Sequence, residues 1–304
     1  MTCLTPDECL SSAAEAKSDG FPCTQSLDAK NSKNRAGTVK RTIIVGDVHG
    51  NYDEACRLLE LCGLQGGDRV LFVGDMVDRG PRSDLCLDLA MSLARQQGEP
   101  ACVRGNHEDQ HLRYNDIERL GGTPDVVSPT HRRTREQLAP AHYEYMRGMP
   151  LYVRLPEHGS VVVHAGVYPG RTIEQQSSHH LMHAMMLAPH DDAGRPTGEE
   201  RTRWPSPTPE PADGLRWRYW THFWDGPERV IFGHVYTDVP LVTDHAVGLD
   251  GGCCFGGELR ALILPDARIT TVRAGSPAPA QNIRRSTGRT VERYEIHPGV
   301  HAFS

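Results

Sequence analysis

Four apolar runs in this chain each end in a short polar block. Thr42 to Val45 runs into Gly46-Asp47-Val48-His49-Gly50, and Val70 to Val73 into Gly74-Asp75-Met76-Val77-Asp78-Arg79-Gly80. Ala101 to Val103 runs into Arg104-Gly105-Asn106-His107-Glu108, and Val161 to Val163 into His164-Ala165-Gly166. A fifth block, Phe232-Gly233-His234, closes the series. Apolar runs of this kind read as buried strands, and the polar residues beyond them as loops at the strand C-terminal ends. Strands arranged this way aim all the blocks at one place. A glycine beside nearly every polar residue lets the backbone turn sharply and come close to a bound group.

The segments between the blocks set the architecture. Arg41 to Gly46, Asp53 to Cys62, Arg69 to Gly74, Ser83 to Arg95 and Ala101 to Arg104 alternate strand and helix signals, a βαβαβ series that calls for a parallel sheet with covering helices. In the back half, Leu151 to Leu155, Ser160 to His164, Arg229 to Gly233, Ala246 to Asp250, Leu259 to Leu264 and Ile269 to Arg273 are short strands with few helices between them. They suggest a second, mostly antiparallel sheet. The expected fold class is α/β, a four-layer α-β-β-α sandwich of two mixed sheets flanked by helices.

One domain over 41–274 is expected within the 304 residues. Residues 1–40 are poor in large apolar groups and read as a disordered leader, and 275–304 as a disordered basic tail. Residues 170–227 interrupt the strand rhythm with a possible helix around His179 to Leu187, a Pro-rich piece and all four tryptophans. They read as a lid-like insert.

Composition narrows the setting. A net charge of -6 with 24% charged residues argues against a surface dedicated to nucleic acid. No apolar run is long enough to span a membrane, and the nine cysteines, without a C-x-x-C pair, fit reduced thiols in a cytoplasmic protein. A monomer is expected.

The blocks carry metal chemistry. Asp47 and His49 project to the same side of an extended strand end and can grip one ion. Asp75 is placed to bridge two ions, Asn106 offers a carbonyl oxygen, and His164 and His234 offer imidazole nitrogens. Mixed oxygen and nitrogen ligation suits two divalent ions such as Mn, Fe or Zn, with Mn the first choice in vitro. A pair of ions about 4 Å apart turns a shared water into hydroxide and clamps a phosphoryl group. Arg79 and Arg104, beside the ligand blocks, suit the remaining phosphate oxygens. His107 is placed to protonate the departing oxygen, with Asp78 to orient it.

The ordered series GDVHG, GDMVDRGP, RGNHE, HAG and FGH resembles the calcineurin-like metallophosphoesterase superfamily. Within it the chain is similar to the phosphoprotein phosphatase branch, which includes bacterial serine/threonine phosphatases and symmetrical diadenosine tetraphosphate hydrolases. The resemblance runs from about Arg41 to Arg273. It implies Asp47, His49 and Asp75 on a first ion and Asp75, Asn106, His164 and His234 on a second. It also implies Arg79 and Arg104 as phosphate ligands, and Asp78 with His107 as the acid pair. The stretch from Leu249 to Gly257 looks like the late Asp-Thr-Gly-Cys block of the bacterial enzymes, and His164-Ala165-Gly166 like the version in diadenosine tetraphosphate hydrolases. The function read first is hydrolysis of phosphoesters by a metal-bridging hydroxide on a phosphomonoester or phosphorylated protein. The alternative is a small nucleotide substrate, a dinucleoside polyphosphate of the diadenosine tetraphosphate type.

Other patterns admit blander readings. His107-Glu108-Asp109-Gln110-His111 matches the H-E-x-x-H zinc helix, but that reading leaves every other block unexplained. His179, His180, His183 and His190 read as a solvated helix face rather than a further metal site. The tryptophans are expected to pack the insert onto the sheets. Cys253 and Cys254 read as buried thiols, and Arg216 or Arg218 is a candidate to reach the pocket. A phosphate-binding module with a dead site would be marked by a lost ligand, and none is missing.

Overall fold

The computed structural model describes residues 41–126, 128–190, 196–203 and 218–275; the leader and the tail beyond Gly275 lie outside them. In chain order come β1 (Thr42–Val45), α1 (Tyr52–Leu61), β2 (Arg69–Phe72) and α2 (Ser83–Gln97), then α3 (Asn106–Arg119), α4 (Pro129–Gln137) and α5 (Pro140–Gly148). β3 (Tyr152–Leu155), β4 (Ser160–Val163) and α6 (Ser178–His183) lead into β5 (Met186–His190), β6 (Pro196–Arg203) and β7 (Arg218–Tyr219). β8 (Arg229–Phe232), β9 (Leu241–Val242), β10 (Ala246–Gly248), β11 (Asp250–Gly251), β12 (Glu258–Leu264) and β13 (Arg268–Arg273) complete the fold.

β1 and β2 pair in parallel with α1 as their crossover, as the front of the sequence requires. The third strand of that series is reduced to one parallel bridge between Phe72 and Cys102. β12 flanks β1 antiparallel and carries β13 on its other side, so the first sheet is mixed.

The second sheet runs β3-β4-β8-β10-β9. Its centre is parallel (β4 with β8, β8 with β10) and only its edges are antiparallel, which corrects the expected mostly antiparallel sheet. Parallel neighbours need a crossover of about a dozen residues or more, and the insert between β4 and β8 supplies one. Far from lacking strands, the insert contributes a small antiparallel sheet, β6-β5-β7. Apolar patterning reports burial rather than backbone pairing, so strands without a buried run leave little trace in a sequence.

Alternation within each strand builds the layers. Ile43 and Val45 face a core shared with α1 and α2, including Leu58, Leu59 and Leu87. Ile44, Leu71 and Val73 face the other way, into a core between the sheets with Val162, Ile231 and Val247. Val161, Val163, Val230 and Phe232 point outward from the second sheet to a third core capped by Trp220, Trp224 and Leu181. Two mixed sheets thus lie face to face with helices outside. At about 1.5–3 kcal/mol per fully buried aliphatic or Phe side chain, these cores fix the strand ends. Among the described residues, the layer outside the second sheet is made by α6 and the turns at Trp220 and Trp224. Among the described residues no helix is long and apolar enough to cross a membrane.

Candidate metal centre

The polar blocks meet where the strand C-terminal ends of the two sheets adjoin. Of the six non-glycine residues with positive φ among those described, five lie in these loops: His49 (47°), Asp75 (50°), Asp78 (70°), Arg79 (63°) and His234 (64°). Each such conformation costs on the order of 1–3 kcal/mol and persists only where the surroundings impose it. The glycines are needed for proximity. A Cβ on Gly233 would overlap Asp47 Oδ1, and one on Gly105 would overlap Asp75 Oδ1.

Asp75 sits at the middle. Its Oδ2 lies 3.4 Å from His49 Nε2 and its Oδ1 3.4 Å from His164 Nε2, so the two oxygens of one carboxylate face different imidazoles. Around it, His164 Nε2 is 2.9 Å from Asn106 Oδ1 and 3.2 Å from His234 Nδ1. Two groups that share Asp75, one with His49 and His107 and one with His164 and His234, each hold their ligand atoms within 4.8 Å of one another. Asp47 stands beside them, its two oxygens accepting the backbone N–H of His234 at 3.1 and 3.0 Å.

The arrangement fits cations. Nδ1 of His49 donates to the Val77 carbonyl and Nδ1 of His164 to the Val73 carbonyl, both at 2.8 Å, which leaves each Nε2 lone pair turned toward Asp75. Carbonyl-anchored imidazoles of this kind are the usual outer support of a metal ligand. Burial, then Arg79, holds His49 well below its ordinary pKa; burial, then His164, does the same for His234. Burial and the charges of Asp250 and Asp75 push the Asp47 carboxyl well above the usual range, a repulsion that a divalent ion relieves. Burial also acts on Asp75, but the surrounding histidines, His164 foremost, outweigh it and hold that carboxyl low.

Arg79 reaches into the same space. Its Nη1 donates to His49 Nε2 (2.8 Å) and to Cys254 Sγ (3.6 Å), and its Nη2 lies 3.3 Å from His107 Nε2. His107 Nδ1 donates to Asp78 Oδ2 at 2.6 Å. Arg104 points elsewhere: its guanidinium donates to the carbonyls of Arg147 (2.6 Å) and Met149 (3.4 Å).

Three site residues escaped the sequence reading. Glu108 is fully buried, and its oxygens accept the N–H groups of Asp75 (2.9 Å), Met76 (2.8 Å), Val77 (3.3 Å) and Gly105 (2.9 Å). Burial and Asp75 push its pKa up to about 7. Its signal was available, a Glu at the third position of a helix that reaches back to the N-cap amide. Arg133 donates to the carbonyls of Arg79 and Gly80, and His131 approaches Asp78; neither belongs to a recognisable motif.

The remaining candidates sort differently. His180 is buried and stacked on Tyr168 and His183 is half-buried with its ring 6.3 Å from that of His234, so of these three histidines the solvated-face reading holds for His179 alone. Trp220 and Trp224 pack as expected, donating to the carbonyls of Ala165 and Glu228, and Cys253 and Cys254 are buried thiols. Arg218 is exposed on β7; Trp204, Arg216, Trp217 and the His190 side chain lie outside the described residues.

The family model for calcineurin-like phosphoesterases matches residues 40–238. The chain belongs to the calcineurin-like phosphoesterases. It is therefore a metal-dependent hydrolase of phosphoric ester or anhydride bonds. Among its relatives, the asymmetrical bis(5'-nucleosyl)-tetraphosphatase PrpE of Anoxybacillus flavithermus is 27% identical over 79% of this chain and 97% of that protein. PrpE of Geobacillus thermodenitrificans is 29% identical over 79% and 97%. A crystal structure described as that of a candidate diadenosine tetraphosphatase superposes with a TM-score of 0.61 at 27% identity, covering 78% of this calcineurin-like chain and 95% of the other. These relatives favour the nucleotide alternative over the protein-phosphatase reading placed first, and they are named asymmetrical rather than symmetrical enzymes.

Proposed function

We propose that this phosphoesterase hydrolyses dinucleoside polyphosphates of the diadenosine tetraphosphate type. The observation that carries the reading is the near-complete coverage of the tetraphosphatase relatives, 97% of one protein and 95% of one solved chain, which extends beyond the metal loops to the domain as a whole. A bound divalent pair acidifies water and offsets phosphate charge. Asp47, His49 and Asp75 would hold one ion, and Asp75, Asn106, His164 and His234 the other. Arg79, whose guanidinium already lies among the ligand imidazoles, takes a phosphate oxygen. Arg104 serves the same end by exchanging its bonds to the Arg147 and Met149 carbonyls for a phosphate.

His107 supplies the proton. Asp78 accepts its Nδ1–H, which leaves Nε2 to carry a proton to the oxygen that departs as the P–O bond breaks. Burial lowers the His107 pKa, but Asp75 and the bond to Asp78 outweigh it, so the imidazolium is favoured. The α6 helix of the insert stands beside the second sheet's ligands, its His183 ring 6.3 Å from that of His234.

The test is a panel on Mn-loaded protein: diadenosine tetraphosphate, p-nitrophenyl phosphate, its diester and a phosphothreonine peptide. Diadenosine tetraphosphate is expected to be the best substrate, giving ATP and AMP. Preference for the phosphopeptide would restore the protein-phosphatase reading.

A further inference from the structure

Asp78 gathers more imidazoles than an acid pair requires. Besides His107, His111 Nε2 lies 2.8 Å from its Oδ1 and His131 Nε2 3.2 Å from its Oδ2. His107 and His111 are four residues apart on α3 and so share a face; His131 comes from α4. Asp78 and His111 are fully buried, while the His131 side chain keeps 18% of its exposure. The Asp78 backbone is held too, its N–H donating to Ser83 Oγ at 2.9 Å. The H-E-x-x-H spacing thus serves a carboxylate, with Glu108 turned to the Asp75 loop.

The chemistry of the cluster follows from its donors. An ionised carboxylate only accepts, so His107 and His111 each donate a ring N–H to Asp78, while His131 stands against it at ion-pair distance. Burial pushes the Asp78 carboxyl up, but the bonds from His107 and His111 outweigh it and keep the carboxyl ionised. Asp78, His107 and His131 hold ligand atoms within 4.8 Å, but His107 Nδ1 is committed as a donor to Asp78.

We propose that His111 and His131 are positioning residues for leaving-group protonation. His111 holds Oδ1 by a hydrogen bond and His131 stands against Oδ2, so the carboxylate cannot rotate and the His107 ring is fixed with Nδ1–H on Asp78 and Nε2 toward the substrate. The inference rests on the reading of His107 as the acid.

Two measurements on the full-length chain test it, the first on protein loaded with diamagnetic Zn and the second on Mn-loaded protein. The first is imidazole nitrogen NMR, with the His107 signal assigned by its loss in His107→Asn. The Nδ1–H resonance of His107 is expected to be slow to exchange in the unaltered chain, exposed to rapid exchange in His131→Phe, and restored in His131→Gln, whose amide keeps a polar group against Asp78. An unchanged His107 signal in His131→Phe overturns the proposal. The second is turnover of phenyl phosphate, whose leaving group needs a proton, against 2,4-dinitrophenyl phosphate, whose leaving group does not.

His131→Phe should lower turnover of the phenyl ester by about tenfold more than that of the dinitrophenyl ester, a fraction of what a general acid supplies. Equal losses on both esters, or none, count against it. If His107→Asn also lowers both esters alike, the acid assignment falls; if it separates them and His131→Phe does not, this inference alone falls. His111→Phe should behave as His131→Phe, and should it fail to fold, the partly exposed His131 still decides.

Discussion

The two halves of the ligand cluster are held in place by different physics. On the first sheet, the loop carrying Asp75 is gripped by one buried side chain, Glu108, which accepts four backbone N–H groups from it and from Gly105. On the second sheet, His164 and His234 follow parallel neighbouring strands directly, and Gly233 N–H donates to the His164 carbonyl at 2.8 Å. There the support is volume: the Trp220 indole fills the space against Gly166 and packs on Phe232 at 4.8 Å between ring centroids. A half-site held by one charged group should answer to the chemistry of that group. A half-site held by packing should answer to size.

Asp75 belongs to both halves, so it sets the upper limit of the comparison. Asp75→Asn is expected to cut turnover by about 100-fold or more, with bound metal falling in parallel by elemental analysis; full metal content with intact turnover would remove Asp75 from the centre of the site. Glu108→Gln comes next. Its amide nitrogen would face buried N–H donors, at about 1–3 kcal/mol for each donor left unsatisfied. Turnover should fall by about tenfold or more, and denaturant unfolding should show the lost stability.

Trp220→Ala probes the other half. It should lose about 3–5 kcal/mol of stability as a large core truncation, while turnover per folded molecule stays within about threefold, because the ligands are spaced by the strands. If Trp220→Ala abolishes turnover while folded, or Glu108→Gln leaves it unchanged, the contrast between the halves is wrong.

The smallest effect concerns acid. Burial, then Arg171 and His179, lowers the His180 pKa to about 4 from an ordinary 6.5. The unfolded chain therefore binds a proton that the folded chain refuses. The stability His180 contributes is present above about pH 6.5 and drains away as pH falls toward 4. Melting curves of His180→Phe should lose less on acidification over that window than those of the unaltered chain. Identical acid dependence would mean that His180 is not the group responsible.

Much of the site was legible before any fold was known. Asp47, His49, Asp75, Asn106, His164 and His234 stand beside glycines at the ends of apolar runs, and each is a plausible ligand by side-chain chemistry alone. Glu108 was half legible, since its position in the first turn of α3 marks a cap but not the loop it grips. His131, Arg133 and Trp220 were illegible in their roles, because a contact across dozens of residues leaves no local pattern. The parallel centre of the second sheet was misjudged for a related reason: short apolar runs reveal strands, not the direction in which they pair.

What the amino-acid order determined by itself is the set of buried strands and the ligand types at their ends, because hydrophobic alternation and side-chain chemistry are properties of neighbouring residues. Which oxygen of Asp75 faces which histidine, that Glu108 ties the Asp75 loop to α3, and that three histidines converge on Asp78 were decided only by the tertiary structure. Those contacts depend on distances between segments, and distances between segments exist only once the cores have packed.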